Sequence, residues 1–321
     1  MANASLPLAV IGLGRIGQVH VRVLAHGIEG ARLVAVADVD GERARRTAAE
    51  QGVPDWYDNP EAVLAREDLR AVVIATPSDT HLALVEAAAR AGKAILCEKP
   101  LALILEDTDR AIAAAARAGV LLQIGFMRRT QPDYLRLKRT LEAGELGRPV
   151  LFRSTQRDRE PPPAAFCDPV KSGGIFLDMG IHEFDLGRWL LQDEVESVQA
   201  FVSAPVDPEL AAVGDFDNAV INLRFRGGAV GTVDLSRNAG YGEDIRTEVI
   251  GARGGAFVGP PPSQPLPEGS VEERYRPQMQ AFVDAVGKNA PPPATGQDSR
   301  AALAISLAAR ASAETGQTMA L

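Results

Sequence analysis

The chain has 321 residues, 46% hydrophobic and 24% charged, an ordinary globular balance with length enough for two cores rather than one. A formal net charge of -8 and a pI near 5.2 speak against a polyanion, whether nucleic acid or an acidic membrane, as partner. Its two cysteines, Cys97 and Cys167, lie far apart without a CxxC or Cys/His cluster, so neither a disulfide framework nor a metal site is expected. The opening residues MANASLPLAVIGLG lack the basic flank and long apolar core of a signal peptide, and no stretch approaches the roughly 20 apolar residues of a membrane span. The expectation is a cytoplasmic protein.

LAVIGLG (8 to 14) is a short apolar run broken by glycines, and Arg15 to Ala25 carries apolar residues at helical spacing, which predicts a strand feeding a helix. ARLVAVADVD (31 to 40) is a second strand, followed by a helix that Gly52 closes. RAVVIATP (70 to 77) and AILCEKP (94 to 100) are the third and fourth, each followed by an Ala-rich helix, and VLLQIGF (120 to 126) is the fifth. Strands that are apolar throughout and separated by helices indicate a parallel sheet covered on both faces. The fold class is α/β, doubly wound, over residues 1 to 124. From residue 125 to 321 a second domain is expected. PDYLRLKRTLEAGELG reads as an amphipathic helix, and PVLFRSTQR alternates like a strand. VESVQAFVSA, FDNAVINLRF, GAVGTVDLSR and IRTEVIGARGGAFVG suit a largely antiparallel sheet. IFLDMGIHEFDLGRWLL interrupts it as a helix, GPPPSQPLPEGS (259 to 270) is a Pro-rich loop, and helices near 275 to 287 and 298 to 315 end the chain.

GLGRIG places Gly12, Gly14 and Gly17 in a G-x-G-x-x-G pattern between strand and helix. There the tight turn brings backbone N–H groups and a helix N-terminus toward a pyrophosphate. Asp38 ends the next strand, about 20 residues past Gly17, where a carboxylate accepts both ribose hydroxyls and repels a 2'-phosphate, so NAD is favoured over NADP. The competing reading is a structural turn beside an ordinary strand-end acid. In ATPSDTH, Thr76, Ser78 and His81 lie at the carboxyl edge of the sheet, where open α/β sheets bind ligands; Ser78 or Asp79 is also a candidate helix cap.

Oxidising an alcohol by hydride transfer requires a hydride acceptor, a base for the hydroxyl proton and a positive group for the developing alkoxide. Asp178 and His182 stand at i and i+4, which on a helix puts them on one face, and a histidine beside a carboxylate is a natural proton acceptor. A structural histidine is the competing reading. Lys99 ends a strand at the cofactor edge, where an ammonium can polarise a substrate oxygen. Its alternatives are pairing with Glu98 or contact with a cofactor phosphate. Pro100 withholds a backbone donor and fixes φ, and the Lys99-Pro100 bond is a candidate for the cis form.

Together VIGLGRIGQVH, ATPSDTH, CEKPLA, GFMRR and SGGIFLDMGIHEFD resemble the Gfo/Idh/MocA oxidoreductases, and within them the inositol 2-dehydrogenases, over essentially the whole chain. The glycine loop is shared by many dehydrogenases; Glu-Lys-Pro combined with Asp-x-x-x-His is specific to this family. The resemblance implies an N-terminal Rossmann domain and a C-terminal α+β domain whose open sheet makes homo-oligomer contacts as a dimer or tetramer. It implies that Lys99, Asp178 and His182 form the catalytic group: His182 as acid or base, Asp178 as its orienting and substrate-binding partner, Lys99 on the reacting oxygen. It places Gly12, Gly14, Arg15, Ile16, Gly17, Asp38, Val39, Thr76, Pro77, Ser78, His81 and Glu98 near the cofactor. Arg128, Asp158, Tyr241 and Tyr275 match positions that line a polyol site, with a surface charge at Arg128 and edge packing at the tyrosines as alternatives. Two departures, the compressed stretch before Tyr275 and Arg159 after Asp158, bear on substrate identity and oligomer packing.

The expected activity is NAD-dependent oxidation of a ring hydroxyl of a cyclitol, myo-inositol at C2, to the ketone. A pyranose or related sugar is the second candidate, because one misplaced hydroxyl leaves polar groups unpaired and so decides between rings. A nucleotide-dependent sensor that has lost turnover is the third, and the complete set Lys99, Asp178 and His182 argues against it.

Overall fold

β1 (Leu6–Ile11), β2 (Ala31–Ala37), β3 (Asp55–Tyr57), β4 (Ala71–Ile74), β5 (Ala94–Cys97) and β6 (Leu122–Ile124) form one sheet in the order β3-β2-β1-β4-β5-β6. Every pairing is parallel, which is the doubly wound order expected of a dinucleotide-binding half. β4 and β5 are buried at every residue, as are the last four residues of β1 and β2. That leaves no polar face and requires helices on both sides. The computed structural model describes residues 5–261 and 271–321, so residues 262 to 270 of the Pro-rich loop lie outside the described residues.

The chain divides into two units at points the sequence does not mark. The described residues through Gln131, together with those from Val271 to Arg300, make the first; Pro132 to 261 and Ala301 to Leu321 make the second. The expected boundary between 124 and 125 is therefore displaced by a few residues, and the expected assignment of the whole later chain to the second domain is corrected. The reason is packing. Tyr275, Met279, Phe282 and Val283 of the helix Val271–Lys288 are buried in one cluster with Leu8, Val10, Val19 and Leu96 of the first unit. Each such burial stabilises by about 1.5–3 kcal/mol, enough to set where a helix belongs. β3 was not foreseen either: only three residues, it covers the edge of β2 through Ala35–Ala37.

In the second unit, β7 (Pro149–Arg157), β8 (Val195–Ser203), β9 (Asn218–Phe225), β10 (Val230–Ser236), β11 (Asp244–Gly251), β12 (Gly254–Val258) and β13 (Met319–Ala320) run in the order β12-β11-β7-β10-β9-β8-β13. All pairs are antiparallel except β7 with β10. Alternation along β9 buries Ala219, Ile221, Leu223 and Phe225. The helix Ile181–Leu191 packs on β7, and at Gly187 a Cβ would already lie 3.2 Å from the rings of Phe152 and Phe225. The other face leaves Phe201, Val220 and Val230 exposed. Among the described residues no helix is long and apolar enough to cross a membrane.

Candidate active site

In the first unit the glycine loop occupies the point where the strand order reverses. Gly12 follows β1 with φ +89, and a Cβ on it would lie 2.7 Å from the Ala75 carbonyl carbon after β4. At Gly17 a Cβ would run into the carbonyl oxygen of Gly12. These two glycines are demanded by the fold. Gly14 is different: its φ is -68 and a Cβ there would meet nothing within 4 Å, so the small residue keeps a space open at the start of the helix Arg15–Ala25. No side chain caps that helix, and its first N–H groups are the donors that an anion satisfies. Arg15 is exposed and Ile16 half-buried beside the loop.

Asp38 completes the cradle. Its Oδ2 accepts the Leu13 N–H at 2.7 Å and its Oδ1 the Asp40 N–H at 2.9 Å, while Arg43 Nη1 stands 3.3 Å from Oδ2. Each oxygen retains lone-pair capacity for a hydroxyl, and Val39 next to it is 87% exposed. An open anion space, uncapped helix N–H groups and a fixed carboxylate together fit a dinucleotide. Gly14→Ala is expected to leave the melting temperature nearly unchanged while weakening dinucleotide binding about tenfold or more. Gly17→Ala, which must displace backbone, is expected to lower the melting temperature by several degrees, about 1 to 3 kcal/mol. Thermal denaturation and nucleotide titration of the two variants separate the roles.

After β4, Thr76, Pro77 and Ser78 form a loop at the same sheet edge, and neither Ser78 nor Asp79 caps the next helix. The hydroxyl of Thr80 donates to Pro77 O at 2.7 Å and approaches Thr76 Oγ1 at 2.7 Å. His81 is fully buried, with Nδ1 2.7 Å from Pro100 O and Nε2 2.9 Å from Thr76 O. Burial pushes its pKa down and the two carbonyls oppose that. Its imidazole links two loops at the carboxyl edge of the sheet.

Glu98 continues the sheet, donating its N–H to Ile74 O at 2.9 Å, and its carboxylate turns inward to His20 Nε2 at 2.7 Å. Gly125 permits this, since a Cβ there would lie 2.5 Å from Glu98 Oε2. His20 is fully buried, and its Nδ1 has no hydrogen-bond partner among the described residues. The Lys99 N–H also faces Glu98 Oε2, at 3.4 Å. Glu98 therefore fixes the backbone from which Lys99 departs. The Lys99-Pro100 bond is cis. Arg128 is buried rather than a surface charge, and its neighbour Arg129 pairs with Asp298 at 2.9 Å. Tyr275 sets its ring edge-on to His20 at 5.4 Å. Burial, then the Glu98 charge, push its phenol pKa well up.

In the second unit the expected single helix is two pieces: a π-turn over Phe176–Gly180, then the helix Ile181–Leu191. The wider turn corrects the simple i,i+4 geometry between Asp178 and His182, and such turns often mark functional positions. His182 is buried. The adjacent Glu183 is fully buried and accepts the Ser154 hydroxyl, which lies 3.0 Å from Thr247 Oγ1, so the helix is fastened to β7 and β11. Asp178 Oδ2 accepts from Arg237 Nη1 at 3.1 Å. Asp158 exchanges backbone hydrogen bonds with the loop carrying Arg237, donating to Ser236 O at 2.9 Å and accepting from Ala239 N–H at 2.8 Å. Tyr241 stands on that loop, but its hydroxyl donates to Asp244 Oδ2 at 2.6 Å and accepts from Arg157 Nη1 at 3.0 Å. Burial, then Asp244, raise its pKa, and its ring remains exposed. The structure thus joins Asp158, Asp178 and Tyr241 through one loop. Sequence reading missed Arg237, which sits in no motif, and Glu183, which stands beside His182 in the SGGIFLDMGIHEFD stretch without a role of its own.

An oxidoreductase-family model described as an NAD-binding Rossmann fold matches residues 6–126, and one for the GFO/IDH/MocA C-terminal domain matches 134–257. The chain is 39% identical to a myo-inositol 2-dehydrogenase of Thermotoga maritima, covering 96% of each. It is 38% identical to a scyllo-inositol 2-dehydrogenase (NAD(+)) of Bacillus subtilis, covering 98% of this chain and 95% of the relative. The solved scyllo-inositol dehydrogenase of Lactobacillus casei, with bound NAD(H) and scyllo-inositol, superposes with a TM-score of 0.91 at 27% identity, covering 98% and 99%.

Proposed function

The chain belongs to the Gfo/Idh/MocA family of NAD-dependent oxidoreductases, and from that premise we propose that it oxidises a ring hydroxyl of a cyclitol, myo-inositol at C2, to the ketone. The observation that carries this reading is similarity to relatives named for inositol across both units, not the nucleotide-binding half alone. NAD supplies the hydride acceptor. His182 takes the hydroxyl proton, Asp178 orients it and accepts from neighbouring hydroxyls, and Lys99 stabilises the developing alkoxide. The intact set of an acid/base, a carboxylate and a cation supports these roles.

A second reading, scyllo-inositol as substrate, is favoured by the Bacillus subtilis relative. The two polyols differ only in the configuration of the reacting carbon, so both give the same ketone. Arg128, Asp158 and Tyr275 are the proposed polyol contacts. The exposed Phe201, Val220 and Val230 support a homo-oligomer formed through the open sheet. The proposed compartment is the cytoplasm, where buried free thiols such as Cys97 and Cys167 stay reduced.

The test is NADH formation from a panel of inositols and aldoses with purified protein. Turnover on a cyclitol at least about tenfold above any pyranose supports the reading. Preference for a pyranose replaces the substrate, and no turnover on any polyol despite NAD binding overturns it.

A further inference from the structure

The second unit carries a buried cation that the proposed chemistry leaves unassigned. Arg237 follows β10 and is wholly inaccessible to solvent. Its Nη1 donates to Asp178 Oδ2 at 3.1 Å, and its Nε and Nη2 donate to a single oxygen, Oδ2 of Asp215, at 3.1 and 2.9 Å. The other oxygen of Asp215 accepts the Ile175 N–H at 2.8 Å, at the residue that leads into the π-turn. Gly174 makes room for this contact: at φ +64, a Cβ on it would come within 2.6 Å of Asp215 Oδ1. One guanidinium therefore reaches the same turn twice, directly through Asp178 and indirectly through Asp215 and the Ile175 backbone.

We propose that Arg237, braced by Asp215, is a positioning residue for Asp178, holding its carboxylate in the orientation and charge state in which it accepts hydrogen bonds from a ring hydroxyl and serves His182. This deepens the proposed function and rests on it. A planar fork is the side chain suited to the task, because it spans two carboxylates at once; an ammonium is a point charge and reaches them less well. The balance of charge gives the functional consequence. Two carboxylates share one cation in a poorly solvated region. Remove the cation, and one carboxylate must take up a proton or move apart from the other. Asp215 already shows the tension: burial raises its pKa, and Arg237 and the Ile175 N–H oppose that. Arg237 is held charged because the two carboxylates outweigh the effect of burial. Other titratable groups stand near this triad. Arg310 faces Asp215. Cys167, beside Arg237, Asp215 and Asp178, has its thiol pushed up to about 11, chiefly by burial. His182 stands four residues beyond Asp178 on the continuing helix.

The experiment titrates Asp178 itself. Aspartate side-chain carboxyl carbons are labelled with 13C, the Asp178 resonance is assigned by its loss in Asp178→Asn, and its titration is followed without nucleotide in the wild type, Arg237→Met, Arg237→Lys and Asp215→Asn. Arg237→Met is expected to raise the Asp178 midpoint by about one pH unit or more, and Arg237→Lys to restore most of it. Asp215→Asn is expected to move it the opposite way, because the second carboxylate is gone and the guanidinium remains. On a substrate identified by the panel, the acid limb of kcat/KM should follow the same order. A strut that only supports the fold would lower the melting temperature without moving the Asp178 midpoint. An unmoved midpoint in Arg237→Met and Asp215→Asn overturns the proposal, and if Arg237→Met does not fold, Asp215→Asn and Arg237→Lys decide it. Should the wild type turn over no polyol, the functional reading fails while the titration still judges Arg237.

Discussion

His182→Ala is expected to lower kcat by about 10²–10⁴-fold, and Lys99→Ala by about 10²–10³-fold, with the dissociation constant for NAD within tenfold of wild type in both. The first figure follows from removing the group proposed to take the hydroxyl proton; what remains is water at a position the helix Ile181–Leu191 does not control. The second follows from removing the cation proposed to meet the developing alkoxide. Neither side chain belongs to the dinucleotide cradle proposed for Gly12, Gly14, Gly17 and Asp38, which is why nucleotide affinity should be nearly untouched. The two losses should not add, because proton removal and alkoxide stabilisation serve the same transition state. Stopped assays at saturating polyol, with NAD binding followed by fluorescence, measure both quantities. Retention of kcat in His182→Ala would sink the acid/base role. Loss of NAD binding together with a large fall in melting temperature would make either residue structural.

Much of the first unit was legible because its strands are apolar at every position and its glycines have a stereochemical reason. Gly12 and Gly17 face backbone atoms that admit no Cβ, and such constraints leave a pattern in sequence. β3 left none: three residues at a sheet edge are chosen by the need to satisfy β2, not by their own propensity. The helix Val271–Lys288 shows an apolar face, but a face says only that something covers it. Its assignment to the first unit lies in long-range contacts with Leu8 and Val10.

The site was readable in its types and less so in its supports. Asp178 and His182 were identified four residues apart, but the π-turn between them has no residue signature, so the simple helical face does not describe them. His81 was read as facing a cofactor because a polar residue after a strand usually does; its imidazole is instead spent on two carbonyls. Arg237, Asp215 and Glu183 escaped notice because buried charge is legible only once its partner is in place. In sequence, a lone arginine after a strand is indistinguishable from a surface one.

Asp38→Ala should raise the ratio of kcat/KM for NADP to that for NAD on the order of 10²-fold. In the proposed site Asp38 acts in two ways: its oxygens accept from ribose hydroxyls, and its charge repels a 2'-phosphate. Arg43 supplies the rest of the effect. Its guanidinium lies 3.3 Å from Asp38 and 3.2 Å from Asp40, so without Asp38 it keeps one carboxylate and gains freedom to meet a phosphate. Asp38→Ala also strips the Leu13 N–H of its acceptor, which lowers activity with either nucleotide and leaves the ratio as the informative quantity. Asp38→Asn separates the two effects, since its amide oxygen can still accept that N–H while the charge is gone; the ratio should rise in it too, though less. Arg43→Ala on the Asp38→Ala background should take back most of the gain with NADP. Initial rates with both nucleotides across the four proteins test the scheme, and a ratio that stays at its wild-type value in both Asp38 variants would remove Asp38 from the ribose and return it to the role of an ordinary strand-end acid.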